Sequence, residues 1–159
     1  MAETQNNMPQ GNPGYLTDMD IRIFMRDKDP ELNYLLDDFE FTPEELRTAM
    51  TLCVDKWNET PPVLNTHMYT TLTFPFRYHL LMGTCANLLF MAAMRYRRNS
   101  LTYNIPGGQV ADQEKAQAYD AAGQRLSSEY NDWASRMKRA INIECGFAIV
   151  DGGMHRYPR

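Results

Sequence analysis

Apolar positions change their period along this chain, and the changes mark out its elements. Between positions 80 and 94 the chain carries Leu80, Leu81, Met82, Cys85, Leu88, Leu89, Phe90, Met91 and Met94 with no charged residue among them. At about 3.6 residues per turn these side chains cover every face of a helix, and a helix apolar all round is buried on all sides. Phe74-Pro75-Phe76 leads into the run and Arg95-Tyr96-Arg97-Arg98 closes it, so the pattern predicts a central helix over residues 75–98. Upstream, Thr42-Pro43-Glu44-Glu45 is a capping box. The Thr42 hydroxyl accepts from the Glu45 N–H, and the Glu45 carboxylate reaches back to Thr42. Leu46, Ala49, Met50, Cys53, Val54 and Trp57 follow at helical spacing until Pro61-Pro62 stops them.

Downstream, Pro106-Gly107-Gly108 breaks the chain within a loop over residues 99–109. Ala116, Tyr119, Gly123, Leu126, Tyr130, Trp133, Met137 and Ala140 then recur at alternating spacings of three and four. That is a heptad-like seam on a long amphipathic helix over residues 111–145, with Lys138 and Arg139 near its C-terminal end and Gly146 placed to close it. The seam faces either the central helix or another subunit. Near the start, Thr17 caps a short helix with Asp18 and Asp20 in its first turn, and Leu16, Met19, Ile23 and Phe24 form its apolar face. Asp29-Pro30 restarts the chain as a second short turn, and residues 63–73 show no helical period and read as an extended loop.

The expected fold is therefore mainly α: a helical bundle with a buried central helix, a long amphipathic C-terminal helix and extended termini. It divides into a flexible N-terminal arm over residues 1–14, rich in Gln, Asn, Pro and Gly, a helical domain over 15–146, and an extended tail over 147–159. Phe147-Ala148-Ile149-Val150 in that tail is β-prone. It adds to the sheet edge of another chain or lies across its own domain.

A chain of 159 residues supports one core, and its net charge of −4, without basic blocks, argues against general nucleic-acid binding. Three separated cysteines read as free thiols in a reducing compartment, and eleven methionines suit irregular cores and contact surfaces. No secretion signal is recognisable at the start, and the run at 80–94 is too short and too interrupted, by Gly83, Thr84 and Asn87, to span a bilayer.

Candidate chemistry is sparse. His67, His79 and His155 lack metal-ligand spacing, and Asp37, Asp38 and Glu40, like Glu44 and Glu45, read as solvated or helix-start charge. Gly107-Gly108 lacks the Lys-Ser/Thr of a phosphate loop, and no nucleophile motif is present. The expectation is a protein that is no enzyme and holds neither cofactor nor metal. Arg95, Arg97 and Arg98 around Tyr96 either complement the dipole of the helix end or contact phosphate.

As a set, several segments resemble small virion proteins of tailed bacteriophages. They are residues 17–27 with Asp29-Pro30, Leu35-Leu36-Asp37-Asp38 with residues 41–45, and Trp57-Asn58-Glu59-Thr60-Pro61-Pro62. Phe74-Pro75-Phe76, the apolar helix, Arg98-Asn99 and Gly107-Gly108 continue the likeness, which spans roughly residues 15–150. Within that group the chain looks like the head-to-tail connectors, also called adaptor or neck proteins, although its final helix and N-terminal arm are longer than in the smaller adaptors. The resemblance implies a virion protein, assembled in the host cytoplasm, that packs with identical subunits into a ring between portal and tail. It implies portal, tail or neck proteins as partners, passing contact with DNA at most, and no membrane. Tyr15, Phe147, Ile149, Val150, Arg156, Tyr157 and Arg159 are then the expected partner-binding residues of arm and tail. The alternatives are a tail-terminator or baseplate protein and, in another class, a helical regulator binding nucleic acid through residues 95–98.

Overall fold

The computed structural model describes residues 15–32, 38–63, 67–99, 104–105, 108–109 and 112–154. Among the described residues four α-helices carry the fold: α1 (Asp18–Met25), α2 (Pro43–Glu59), α3 (Arg77–Arg98) and α4 (Asp112–Met154). A 3-10 turn, Pro30–Leu32, follows α1. Between α3 and α4 a two-residue antiparallel ladder, β1 (Asn104–Ile105) with β2 (Gly108–Gln109), pairs Asn104 with Gln109 and Ile105 with Gly108. The protein is mainly helical, as the periodicity predicts, and this ladder refines the reading of residues 99–109 as loop alone.

Both predicted caps form. Thr42 accepts from the Glu45 N–H at 3.2 Å, and its own N–H donates to the Glu45 carboxylate at 2.8 Å. Thr17 and Asp20 make the same reciprocal pair at 3.2 and 2.9 Å. Each box satisfies N–H groups that a first helical turn leaves without partners. α2 and α3 pack antiparallel: Asn87 Nδ2 donates to the Ala49 carbonyl at 3.0 Å near mid-helix, while Cys53 meets the start of α3 at the Leu80 carbonyl.

α3 is the centre of the core, with Leu80, Cys85, Leu88 and Ala92 all but inaccessible. Burial is not all round, however. Leu81, Asn87, Phe90 and Met91 are half-buried, and Met94 is 69% exposed, because no helix among the described residues covers the outer face of the last turns. At Gly83 three helices approach closely. A Cβ there would collide with Cys53 Sγ and press on the Tyr130 ring at 3.1 Å, so the absence of a side chain lets α2, α3 and α4 meet. Tyr130 completes the contact by donating to the Cys53 carbonyl at 2.9 Å.

The α4 seam faces α3, which decides between the two assignments. Ala116, Gly123 and Tyr130 are buried and Tyr119, Leu126 and Trp133 half-buried, as the heptad spacing predicts. Past Trp133 the buried face moves on to Ala134, Lys138 and Ile141, while Ala140 is exposed. A straight helix drifts by about 20° per heptad against a strict seven-residue repeat, and that drift carries the seam to the next residue. Lys138 is therefore a fully buried core position and not a charge at a helix end.

Two further expectations are overturned. α1 does not turn the face of Leu16, Met19, Ile23 and Phe24 inward; it buries Ile21 and Arg22 and leaves Met19, Ile23 and Phe24 exposed. The cause is polar: Arg22 is drawn in by Asp27 at 2.7 Å and by the Phe41 carbonyl at 2.8 Å. Gly146 does not close the last helix, since α4 continues through Gly152 and Gly153 to Met154. A lone strand would leave its N–H and C=O groups unpaired, whereas a helix pairs its own, and that outweighs about 1 kcal/mol for each of Gly146, Gly152 and Gly153. Residues 1–14 and 155–159, and Pro106 and Gly107, lie outside the described residues.

Candidate functional site

The C-terminal turns of α3 bring charged and exposed apolar side chains together. Met91, Met94, Arg95, Arg97 and Arg98 line an open groove of about 700 Å³, with Glu45 of α2 on its far side. Antiparallel pairing puts the start of α2 beside the end of α3, which is why Glu45 belongs to this groove.

The three arginines differ in their commitments. Arg95 turns inward: Nη1 donates to the Glu40 carbonyl at 2.9 Å, and the guanidinium lies 5.7 Å from the Phe41 ring centre. Its Nη2 is buried without a hydrogen-bond partner. Arg97 is paired with Asp120 of α4 at 2.7 Å, and Arg98 is exposed. The residues singled out for phosphate therefore do not form one free cluster.

Behind the groove, Tyr96 and Tyr119 stack at 5.5 Å with an interplanar angle of 4°. Both donate to the Glu40 carboxylate, at 3.3 and 3.4 Å. Desolvation, and then the Glu40 charge, push both phenols up, so they act as hydrogen-bond donors and not as bases. Lys115 lies 5.7 Å over the Tyr96 ring.

A second groove, of about 420 Å³, sits at the opposite end of the α2–α3 pair. Asp55, Asn58, Glu59, Val63 and Met68 line it. Asn58 fixes its wall by bonding both backbone groups of Tyr69, each at 3.0 Å. Val63 and Met68 are more than half exposed. Nothing in the local sequence marks this groove; only antiparallel packing of α2 on α3 shows that acidic and basic ends lie apart.

Burial raises the Cys53 thiol to about 11 and the Cys85 thiol to about 12, so neither is a ready nucleophile. His79 is stacked face to face on Trp133 at 3.7 Å, and desolvation lowers its affinity for a proton. Among the described residues no group of three or more His, Cys, Asp or Glu side chains is arranged to hold a metal ion. No helix among them is long and apolar enough to cross a membrane.

Of the residues expected to bind partners, Tyr15 is 42% exposed beside α1, and its carbonyl accepts from Arg77 Nε at 3.2 Å. Phe147, Ile149 and Val150 fall within the helical backbone of α4 and not in an extended tail. Arg156, Tyr157 and Arg159 lie outside the described residues. No protein family, curated protein or solved structure matches the chain.

Proposed function

We propose that this protein is a structural component of a tailed-phage virion, a head-to-tail connector that forms a ring of identical subunits between portal and tail. One observation carries the reading beyond the sequence resemblance. α4 is 43 residues long, about 65 Å, whereas the α3 it packs on has 22 residues, about 33 Å. A helix about twice as long as the one it packs on carries more surface than that helix can cover, and most helical stability comes from packing an apolar face. A neighbour in a ring supplies packing for the remainder. The exposed apolar stripe Tyr15, Met19 and Ile23, spaced four residues apart and flanked by Phe24, is a second face in want of cover.

Electron microscopy of the purified protein, alone and mixed with the portal of the same virion, tests this. Closed rings that dock on the portal are the expected outcome; particles that stay single subunits under both conditions would remove the connector reading. The reading as a nucleic-acid-binding regulator has less to rest on, because Arg95 and Arg97 are engaged within the subunit. A gel shift is expected to show no retardation at moderate salt.

A further inference from the structure

The two grooves differ in sign and share a second feature, an exposed apolar floor. In the first, Met94 is 69% exposed between Arg95 and Arg98 at the end of α3. In the second, Val63 at 57% and Met68 at 54% stand beside Asp55 and Glu59 at the end of α2. The helices are antiparallel, so the grooves lie at opposite ends of the 17-residue α2, roughly 25 Å apart. No subunit can therefore close its own basic groove with its own acidic one.

We infer that the basic groove at the end of α3 receives the acidic end of α2 of a second copy of this chain. In that contact Asp55 and Glu59 of one copy face the exposed Arg98 of the next, and Met94 packs on Val63 and Met68. Charge complementarity selects the occupant and fixes its register, while the flexible methionines fill the irregular apolar gap between the charged rims. The contact joins two different patches, so it is heterologous: repeated, it closes into a ring or runs on as a filament. This deepens the ring reading above, rests on it, and names the surfaces that would make the ring.

Charge reversal tests it on the full chain. Arg98 and Glu59 are both exposed at helix ends, so Arg98→Glu and Glu59→Arg are expected to keep the wild-type circular dichroism spectrum. Each variant alone is expected to weaken self-association in analytical ultracentrifugation by roughly tenfold or more, because like charges then meet in the groove. An equimolar mixture of the two is expected to regain assembly, since each supplies the groove the other lacks. Wild-type assembly is also expected to weaken as salt is raised. If the wild type assembles and both variants assemble equally well, the groove pairing is overturned while the ring reading stands. If both variants weaken but the mixture does not recover, the pairing of these two grooves is again wrong. A wild type that stays monomeric at every concentration overturns pairing and ring together.

Discussion

Removing the Asp27 carboxylate would strand three partners at once. Its Oδ2 accepts from Arg22 Nη1 at 2.7 Å and from the Phe41 N–H at 3.3 Å, and its Oδ1 from the Glu40 N–H at 2.7 Å. The Arg22 guanidinium also donates to the Phe41 carbonyl and lies 4.1 Å over the Phe39 ring. Breaking a buried pair leaves an uncompensated charge, so Asp27→Ala is expected to destabilise by about 3–5 kcal/mol in a denaturant titration. Lys138 is the opposite case. Its Nζ is buried with no hydrogen-bond partner and lies 5.0 Å from the centre of the Trp57 ring. Burial lowers its proton affinity below the usual value of 10.5. Between that lowered value and 10.5 the unfolded chain binds more protons than the folded one, so this group makes stability rise with pH across the window. Lys138→Met is expected to stabilise near neutral pH by about 1–4 kcal/mol, as hydrophobic replacement of buried ions does. Its advantage over the wild type should shrink as denaturation is repeated towards pH 10.5. Neither residue was legible from the sequence. A lysine on a helix reads as solvated, and a pair five residues apart, Arg22 with Asp27, becomes a bond only when the chain reverses after α1.

That reversal is made by Arg26, the one non-glycine residue with positive φ (61°) among those described. It caps α1 in the left-handed conformation, which costs a residue with a Cβ about 1–2 kcal/mol. Arg26→Gly is expected to raise stability by up to about 1 kcal/mol, net of the greater freedom glycine gains in the unfolded chain. Thermal melts of the two proteins measure it. At this scale the sequence was a good guide wherever an element carried its own signal. The cap at Thr17, the capping box at Thr42, the stop at the prolines and the core of α3 all follow from local chemistry. It misled where the deciding interaction was distant. Hydrophobicity alone assigns the α1 face, and the Arg22 knot turns it over. Gly146 alone reads as the end of α4, yet self-paired helical backbone prevails over it and over Gly152 and Gly153.

For the molecule as a whole, helix order and the α3 core were readable, but the two grooves were not. A groove is a relation between elements, and the sequence placed Asp55 and Arg98 on separate helices without saying which ends meet. Their separation also makes a ring prediction specific. Rings built through these grooves are expected to carry subunits in one rotational sense, each with its α3 end against the α2 end of the next, visible as a handed pinwheel in averaged micrographs. Subunits related by two-folds within a ring would contradict that arrangement.

The long-range clasp of α4 also bears on how the chain is made. Tyr130 bonds to Cys53, and Tyr119 to Glu40, across more than seventy residues of sequence. Synthesis adds about 5–20 residues per second, so the roughly 40 residues between the end of α3 and Ile141 take about 2–8 s to appear. Until then the α3 face that α4 will cover, around Gly83, Ala86 and Phe90, is open to water and to neighbouring nascent chains. The same helix that locks the subunit is the last of the described helices to arrive, so the interval before it does is when the newborn chain is most exposed to aggregation and most suited to chaperone capture.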